Sequence, residues 1–213
     1  MKNIPIFTTE NGTASLTLKE IPYTGRAYVR IQGSQEPQAL TEECISFCRS
    51  AGAEEIYCAG HPYLRDTYPL HTAIWQMQCE KEDLEGTDAA LFPVQPETAE
   101  TWREIYNQKM IAVANATWIA KDDLKSLLVC SQGYFVHRGK ELLGIGLVSY
   151  GSIDAVASVK PGCGKDLMLA LAHAVSEDSI TLEVASVNER ALHLYEELGF
   201  VKTREISRWY KIF

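Results

Sequence analysis

The stretch Leu182-Glu-Val-Ala-Ser-Val-Asn-Glu-Arg-Ala-Leu-His-Leu-Tyr-Glu-Glu-Leu-Gly-Phe200 decides the fold of the C-terminal part of this 213-residue chain. Alternating apolar residues predict a strand over 181–187, and Asn188 then favours the N-cap of a helix. A helix with one buried face is predicted by apolar side chains at three-and-four spacing, which are Ala191, Leu194, Tyr195 and Leu198. Gly199 suits the cap that ends this helix, and Phe200 begins another strand.

A second informative stretch precedes it, Val159-Lys-Pro-Gly-Cys-Gly-Lys-Asp166. An apolar strand ends at Val159, and two glycines let the backbone turn before a helix begins near Gly164. The start of a helix presents unpaired N–H groups and positive dipole charge, which suit a phosphate, and Lys165 adds a cation. The stretch lacks the residues of a full dinucleotide-binding motif or a P-loop. A tight strand-to-helix turn without a ligand is the alternative at this point.

Together the two stretches resemble the GNAT superfamily of acetyl-CoA-dependent N-acetyltransferases. The segment 188–200 resembles the closing motif of that superfamily, and Val159-x-Pro161-Gly-x-Gly164 resembles a shortened form of its pyrophosphate loop. The likeness is sharp over residues 153–203 and extends in element order from 89 to 213. It implies a mixed α/β fold and transfer of an acetyl group from acetyl-CoA to a primary amine.

The resemblance also implies which residues hold the cofactor. The strand before the loop is expected to splay from its neighbour and to bind the pantetheine arm through the backbone of Ala157, Ser158 and Val159. The loop amides would hold the pyrophosphate, and these belong to Gly162, Cys163, Gly164, Lys165 and Asp166. Asn188 would contact the cofactor. Tyr195 would lie near the thioester sulfur and act as the general acid for the leaving thiolate.

The loop departs from the superfamily pattern in three ways. Val159 occupies a position that is usually Arg or Gln, the loop is about three residues short, and Asp166 places a carboxylate beside the phosphate site. A catalytically degenerate module that binds CoA or another protein is therefore the alternative function. The general base stays open between Asp154, on the strand before the loop, and Glu183, on the strand after the helix, and both are favoured over Glu141 in a turn.

The charged segment 80–88 has no hydrophobic pattern and predicts a boundary near residue 86. Residues 87–213 would form the acetyltransferase-like domain, in which three antiparallel strands precede alternating strands and helices. Residues 1–86 predict a smaller α+β module with two strands, a helix over 38–51 and two more strands. This module is either a degenerate copy of the same fold that helps to shape the acceptor cleft or an unrelated cap.

Composition excludes several classes of protein. The net charge of −8 disfavours a nucleic-acid surface, because affinity for nucleic acid comes from Lys and Arg. No apolar run is long enough to cross a membrane, and residues 1–13 lack the pattern of a secretory signal, so a cytoplasmic location is expected. The six scattered cysteines predict core thiols rather than disulfides, and no metal site is expected because neither Cys nor His shows a recognised ligand spacing. The partner would be a small-molecule or peptide amine, and homo-oligomerisation is left open.

Overall fold

The computed structural model describes residues 5–130 and 132–213. Packing divides the chain into two compact units: unit 1 extends to Ile74 and includes Glu205–Phe213, whereas unit 2 comprises Trp75–Arg204. Two strands, β5 (Leu70–Glu80) and β11 (Val201–Lys211), contribute residues to both units. The sequence predicted no secretory signal in residues 1–13, and of these, residues 1–4 lie outside the described part of the chain.

The charged segment that suggested a boundary near 86 belongs to unit 2. It begins with a 3-10 helix, Lys81–Asp83. The backbone N–H of Lys81 donates to the carbonyl of Asp178 at 2.7 Å, and its ammonium group donates to the carbonyl of Val175 at 2.7 Å. These bonds fasten the segment to its own unit. The domain boundary near residue 86 therefore stays a prediction. The two packing units instead divide the chain between Ile74 and Trp75 and between Arg204 and Glu205.

The described residues of unit 1 form three helices and four complete strands. The helices are α1 (Ile21–Thr24), α2 (Pro37–Ser50) and α3 (Leu64–Thr67). The strands are β1 (Ile6–Thr9), β2 (Gly12–Thr17), β3 (Arg26–Ser34) and β4 (Glu55–Ala59). With the last residues of β11 they form a sheet in the order β1-β2-β3-β4-β11, in which only β3 and β4 run parallel among these neighbours.

The core of unit 1 lies between α2 and one face of this sheet. Alternation places Ala27, Val29 and Ile31 of β3 on that face, and α2 covers them with Leu40 and Cys44. The cysteines described in this unit, Cys44, Cys48 and Cys58, are buried free thiols, as predicted. Burial raises the pKa of both Cys44 and Cys58 to about 12, so these thiols stay protonated at neutral pH. The side chain of Cys130, also expected in a core, lies outside the described part.

Unit 2 alternates helices and strands after an antiparallel start. Its helices are α4 (Ala99–Met110), α5 (Lys121–Cys130), α6 (Gly164–Ala174) and α7 (Glu189–Glu197). Its complete strands are β6 (Ala90–Pro93), β7 (Gln132–Arg138), β8 (Glu141–Ser149), β9 (Ser152–Ser158) and β10 (Ser179–Ala185). The strand order is β11-β5-β10-β9-β8-β7-β6, with β6 to β9 antiparallel and β9 parallel to β10.

Helix α6 packs closely on β8 because β8 has glycines beneath it. A Cβ on Gly146 would lie 2.3 Å from Cδ1 of Leu171, and one on Gly144 would lie 2.8 Å from Cδ1 of Leu167. Both leucines are fully buried. A second cluster forms around Trp102 of α4 and includes Ala157 of β9. The predicted mixed α/β fold is confirmed, and α6 and α7 lie where the sequence predicted helices.

Candidate active site

The parallel strands β9 and β10 separate soon after they begin. Their pairing consists of Thr181 with Ser152 and Leu182 with Ile153, although both strands continue for several residues. From residue 155 to 158 the other edge of β9 is paired with β8. Within the described residues, Ala155 to Ser158 therefore pair with β8 but not with β10. This short pairing corresponds to the splay that the sequence resemblance implied, and it precedes Ala157 and Ser158.

The glycine loop turns immediately after β9. Gly162 has a φ of +83°, a left-handed conformation that is strained for residues with a Cβ, and no heavy atom lies within 4 Å of where its Cβ would be. The hydroxyl of Ser158 donates to the carbonyl of Lys160, and the ammonium group of Lys160 pairs with Glu141. The turn is therefore held at its start, while the space around Gly162 is open.

Helix α6 begins without a side-chain cap. Its N-cap residue is Cys163, whose side chain makes no capping hydrogen bond. The first intrahelical bond runs from the N–H of Leu167 to the carbonyl of Cys163 at 3.1 Å. The amides of Gly164, Lys165 and Asp166 are left for another acceptor, and they lie at the positive end of the helix dipole. A phosphate oxygen is the ligand that this arrangement favours.

The charged side chains at this helix start form a local network. Arg138, at the end of β7, donates to Asp166 at 2.6 Å and to Asp88 at 2.8 Å. Lys165 contacts Glu85 at 2.6 Å, and this hydrogen bond, with the charge of Glu85, raises the pKa of Lys165. The carboxylate of Asp166, which the sequence suggested would oppose a phosphate, is thus offset by a guanidinium. Arg138 was not predicted as a site residue, because no local sequence pattern relates the end of β7 to the distant helix α6.

Helix α7 meets the start of α6. A Cβ on Gly164 would lie 2.8 Å from Cδ2 of Leu194, so a larger residue here would require the leucine side chain to shift. Asn188 caps α7 as predicted, since its side chain accepts the N–H of Ala191 at 3.3 Å. The structure therefore brings the two stretches of the sequence resemblance together through their glycine and leucine.

Tyr195 follows Leu194 on α7 and packs against the main core of unit 2. Its ring centroid lies 6.1 Å from that of Phe200. Burial is the cause that raises the pKa of Tyr195 to about 12. The phenol is accordingly protonated at neutral pH, as a general acid must be before it acts.

The two candidate bases stand where the strands separate. Asp154 and Glu183 are the residues that directly follow the last pair, Ile153 with Leu182. Asp154 is also the extra residue of a β-bulge, because Leu147 pairs with Ala155 and Val148 pairs with Ile153. Its carboxylate accepts the hydroxyl of Ser149 at 2.5 Å. Both carboxylates are exposed, and their catalytic role stays a prediction.

These features fit the diphosphate and pantetheine arm of coenzyme A. The unpaired strand edge, the open space at Gly162 and the uncapped amides of α6 each match a part of that molecule. Among residues 5–130 and 132–213 no cluster of three or more His, Cys, Asp or Glu side chains has the arrangement of a metal site. In the same described part, no helix has both the length and the apolar character needed to cross a bilayer.

Sequence comparisons identify no relatives. No protein-family model matches the chain, and no curated protein matches it.

Solved structures do match, over nearly the whole chain. A functionally unknown conserved protein from Staphylococcus epidermidis ATCC 12228 has a TM-score of 0.65 and 10% identity, covering 99% of this chain and 94% of that one. A GCN5-related N-acetyltransferase from Kribbella flavida has a TM-score of 0.59 and 12% identity, with 98% and 89% covered. Another from Anabaena variabilis ATCC 29413 has a TM-score of 0.62 and 12% identity, but this chain covers only 58% of its length. At such identities the comparison shows the fold alone.

Proposed function

We propose that this chain, which has the fold of the GCN5-related N-acetyltransferases, transfers an acetyl group from acetyl-CoA to a primary amine. The observation that carries the proposal is the separation of β9 and β10 after two residue pairs, directly before a glycine loop and an uncapped helix. A closed sheet has no place for an extended ligand arm, whereas an unpaired strand edge offers N–H and C=O groups to one. A small-molecule or peptide amine is the proposed acceptor.

Each part of the site has a distinct role in binding. The amides of Gly162 to Asp166 would hold the diphosphate and Lys165 would add positive charge, while Arg138 offsets the carboxylate of Asp166. Because Lys165 contacts Glu85 at 2.6 Å, coenzyme binding would require this exposed pair to yield to the phosphates. The backbone of Ala157, Ser158 and Val159 would bind the pantetheine arm. Asn188 would stabilise the N-terminal end of α7 as its cap.

Bound acetyl-CoA supplies an activated thioester whose carbonyl carbon accepts the attacking amine. Tyr195 would stabilise the developing thiolate and then protonate it. A pKa of about 12 makes the phenol a weaker acid than a free tyrosine. The same burial would raise the pKa of a coenzyme thiol next to it, because the thiolate and the phenolate both lose hydration. Proton transfer between them therefore stays feasible.

The proton lost by the amine needs an acceptor. We place this role on Asp154 or Glu183, which both stand at the mouth of the separated strands. Either carboxylate could act directly or through water, because an exposed group is in contact with solvent. The net charge of −8 suits a cationic amine that arrives protonated and must lose a proton before attack.

The deciding experiment measures binding and turnover separately. Acetyl-CoA and CoA should raise the melting temperature, while ATP should not, since a ligand of the native state stabilises it by mass action. A panel of amines should then release free thiol from acetyl-CoA. Absence of any shift with acetyl-CoA contradicts the proposal. A shift without turnover on any amine favours the alternative, a CoA-binding module, for which the shortened loop is the supporting observation.

Replacement of the phenol tests the chemistry. Tyr195→Phe should lower kcat by about 100-fold with little change in acetyl-CoA affinity, the lower range for loss of a general acid. Tyr57→Phe is a matched control, because Tyr57 in unit 1 also has a pKa raised to about 12 by burial. An unchanged kcat in Tyr195→Phe, with chemistry rate-limiting, removes Tyr195 as the acid.

A further inference from the structure

Unit 1 contains a cavity of its own, with a volume of about 290 Å³. It lies where the parallel strands β3 and β4 end their pairing, at Arg30 with Ala59. Its lining includes Arg30, Gly60, His61, Ser207, Arg208 and Tyr210. The volume is close to the lower end of the range of about 300–1,000 Å³ typical of small-molecule pockets.

Arg30 gives this cavity an available cation. Its guanidinium lies over the ring of Trp209, 5.2 Å from the centroid. Within the described part of the chain, Arg30 forms neither an ion pair nor a hydrogen bond with another side chain. Stacking on an aromatic ring fixes the plane of a guanidinium and leaves its N–H fork for an oxyanion.

Two further groups in the cavity are oriented as donors. Nδ1 of His61 accepts the backbone N–H of Tyr63 at 3.3 Å, so in the neutral ring the hydrogen sits on Nε2. The hydroxyl of Ser207 accepts the indole N–H of Trp209 at 3.0 Å, so its own hydrogen is left to donate elsewhere. Both side chains therefore offer a hydrogen to an acceptor.

The charge of the other arginine in the lining, Arg208, is offset by a carboxylate next to the cavity. Arg208 forms a bidentate pair with Glu205, at 3.0 and 2.6 Å, and this pair raises the pKa of Arg208. The cavity thus keeps the positive charge of Arg30 in a chain whose net charge is −8. Electrostatic complementarity selects an anion for such a place.

We propose that this cavity binds a small organic anion through a carboxylate or phosphate group. Arg30 would bind the oxyanion as a fork, while His61 and Ser207 donate one hydrogen bond each. Tyr210 and the neighbouring Pro62 and Ile206 supply apolar surface for the body of the ligand. Every residue of this lining belongs to unit 1, whereas the acetyl-transfer chemistry is proposed for residues of unit 2.

The test is calorimetric titration of the full chain with inorganic phosphate and with succinate, at ionic strength matched by sodium chloride. At least one of the two should bind with a Kd below about 1 mM, equivalent to about −4 kcal/mol. The two titrants distinguish a phosphate ligand from a carboxylate ligand. Absence of binding by both overturns the proposal.

Variants locate the binding. Arg30→Gln should weaken it by about 10- to 100-fold, as expected for loss of charged hydrogen bonds. Arg49→Gln is the matched control, because Arg49 also stacks on a ring, 4.6 Å from the centroid of Phe213, but outside this cavity. Equal affinity in Arg30→Gln overturns the proposal. If that variant does not fold, His61→Gln decides instead: weaker binding supports the site, and unchanged affinity overturns it.

Discussion

The two units each contain a parallel strand pair joined by a helix, and the pairs differ in one respect. In unit 1, β3 and β4 pair over five positions, from Arg26 with Glu55 to Arg30 with Ala59. In unit 2, β9 and β10 pair over two. Antiparallel strands precede each pair, β1 and β2 in unit 1 and β6, β7 and β8 in unit 2. A shared arrangement of elements thus gives a closed sheet in one place and an open edge in the other.

The connections before the two helices differ as well. Strand β3 runs on to Ser34 and α2 starts at Pro37, so few residues remain for a loop. Strand β9 ends at Ser158 and the chain then passes through Gly162 at positive φ before α6 starts at Gly164. The correspondence is compatible with the hypothesis that the N-terminal part is a degenerate copy of the same fold. We keep that hypothesis as a proposal.

Hydrogen exchange gives the largest expected contrast between the two pairs. Acetyl-CoA at about 100 times its Kd should slow exchange by about 100-fold at amides that its binding protects, within residues 154–159 and 162–166. Amides of residues 26–30 in the closed pair should not respond, because their strand has partners on both edges. A uniform response across both units would contradict the assignment of the cofactor to the open pair.

Adding a methyl group to a glycine of β8 tests how closely α6 packs on the sheet of unit 2, which contains the open pair. Gly146→Ala places a Cβ 2.3 Å from Cδ1 of Leu171 and should lower the free energy of unfolding by about 1–3 kcal/mol.

Gly33→Ala is the control in β3, since no heavy atom lies within 4 Å of the added Cβ. Its effect should stay within about 0.5 kcal/mol in urea unfolding. Equal stability losses in the two variants would show that crowding by Leu171 is not the cause.

The smallest expected effect concerns the charged end of the closed pair. Glu55 accepts hydrogen bonds from Lys211 at 2.7 Å and Tyr57 at 2.9 Å, which lower its pKa from the ordinary 4.5 to about 2. A lowered pKa stabilises the folded state above pH 4.5, and this contribution is lost as the pH falls from 4.5 to 2. Glu55→Gln should remove that part of the pH dependence. Identical urea midpoints against pH in both proteins would contradict it.

The sequence determined the local elements because their signals lie within a few residues. The helix predicted over 38–51 is α2, and Asn188 and Gly199 marked the two ends of α7. The short elements β1 and α3 were not predicted, since four residues carry too little periodicity. The resemblance in 153–203 was enough to predict the fold of the superfamily, which the solved structures confirm.

Only the tertiary structure decided how distant residues meet. The pairing of Arg138 with Asp166, the contact of Gly164 with Leu194 and the anionic partner of Lys165 join segments with no local relation. The extent of strand pairing is likewise settled by packing, because hydrogen bonds between strands depend on where two separate segments are placed. Local sequence determines which side chains are present and where turns form. The opening between β9 and β10, in contrast, forms only when the sheet assembles.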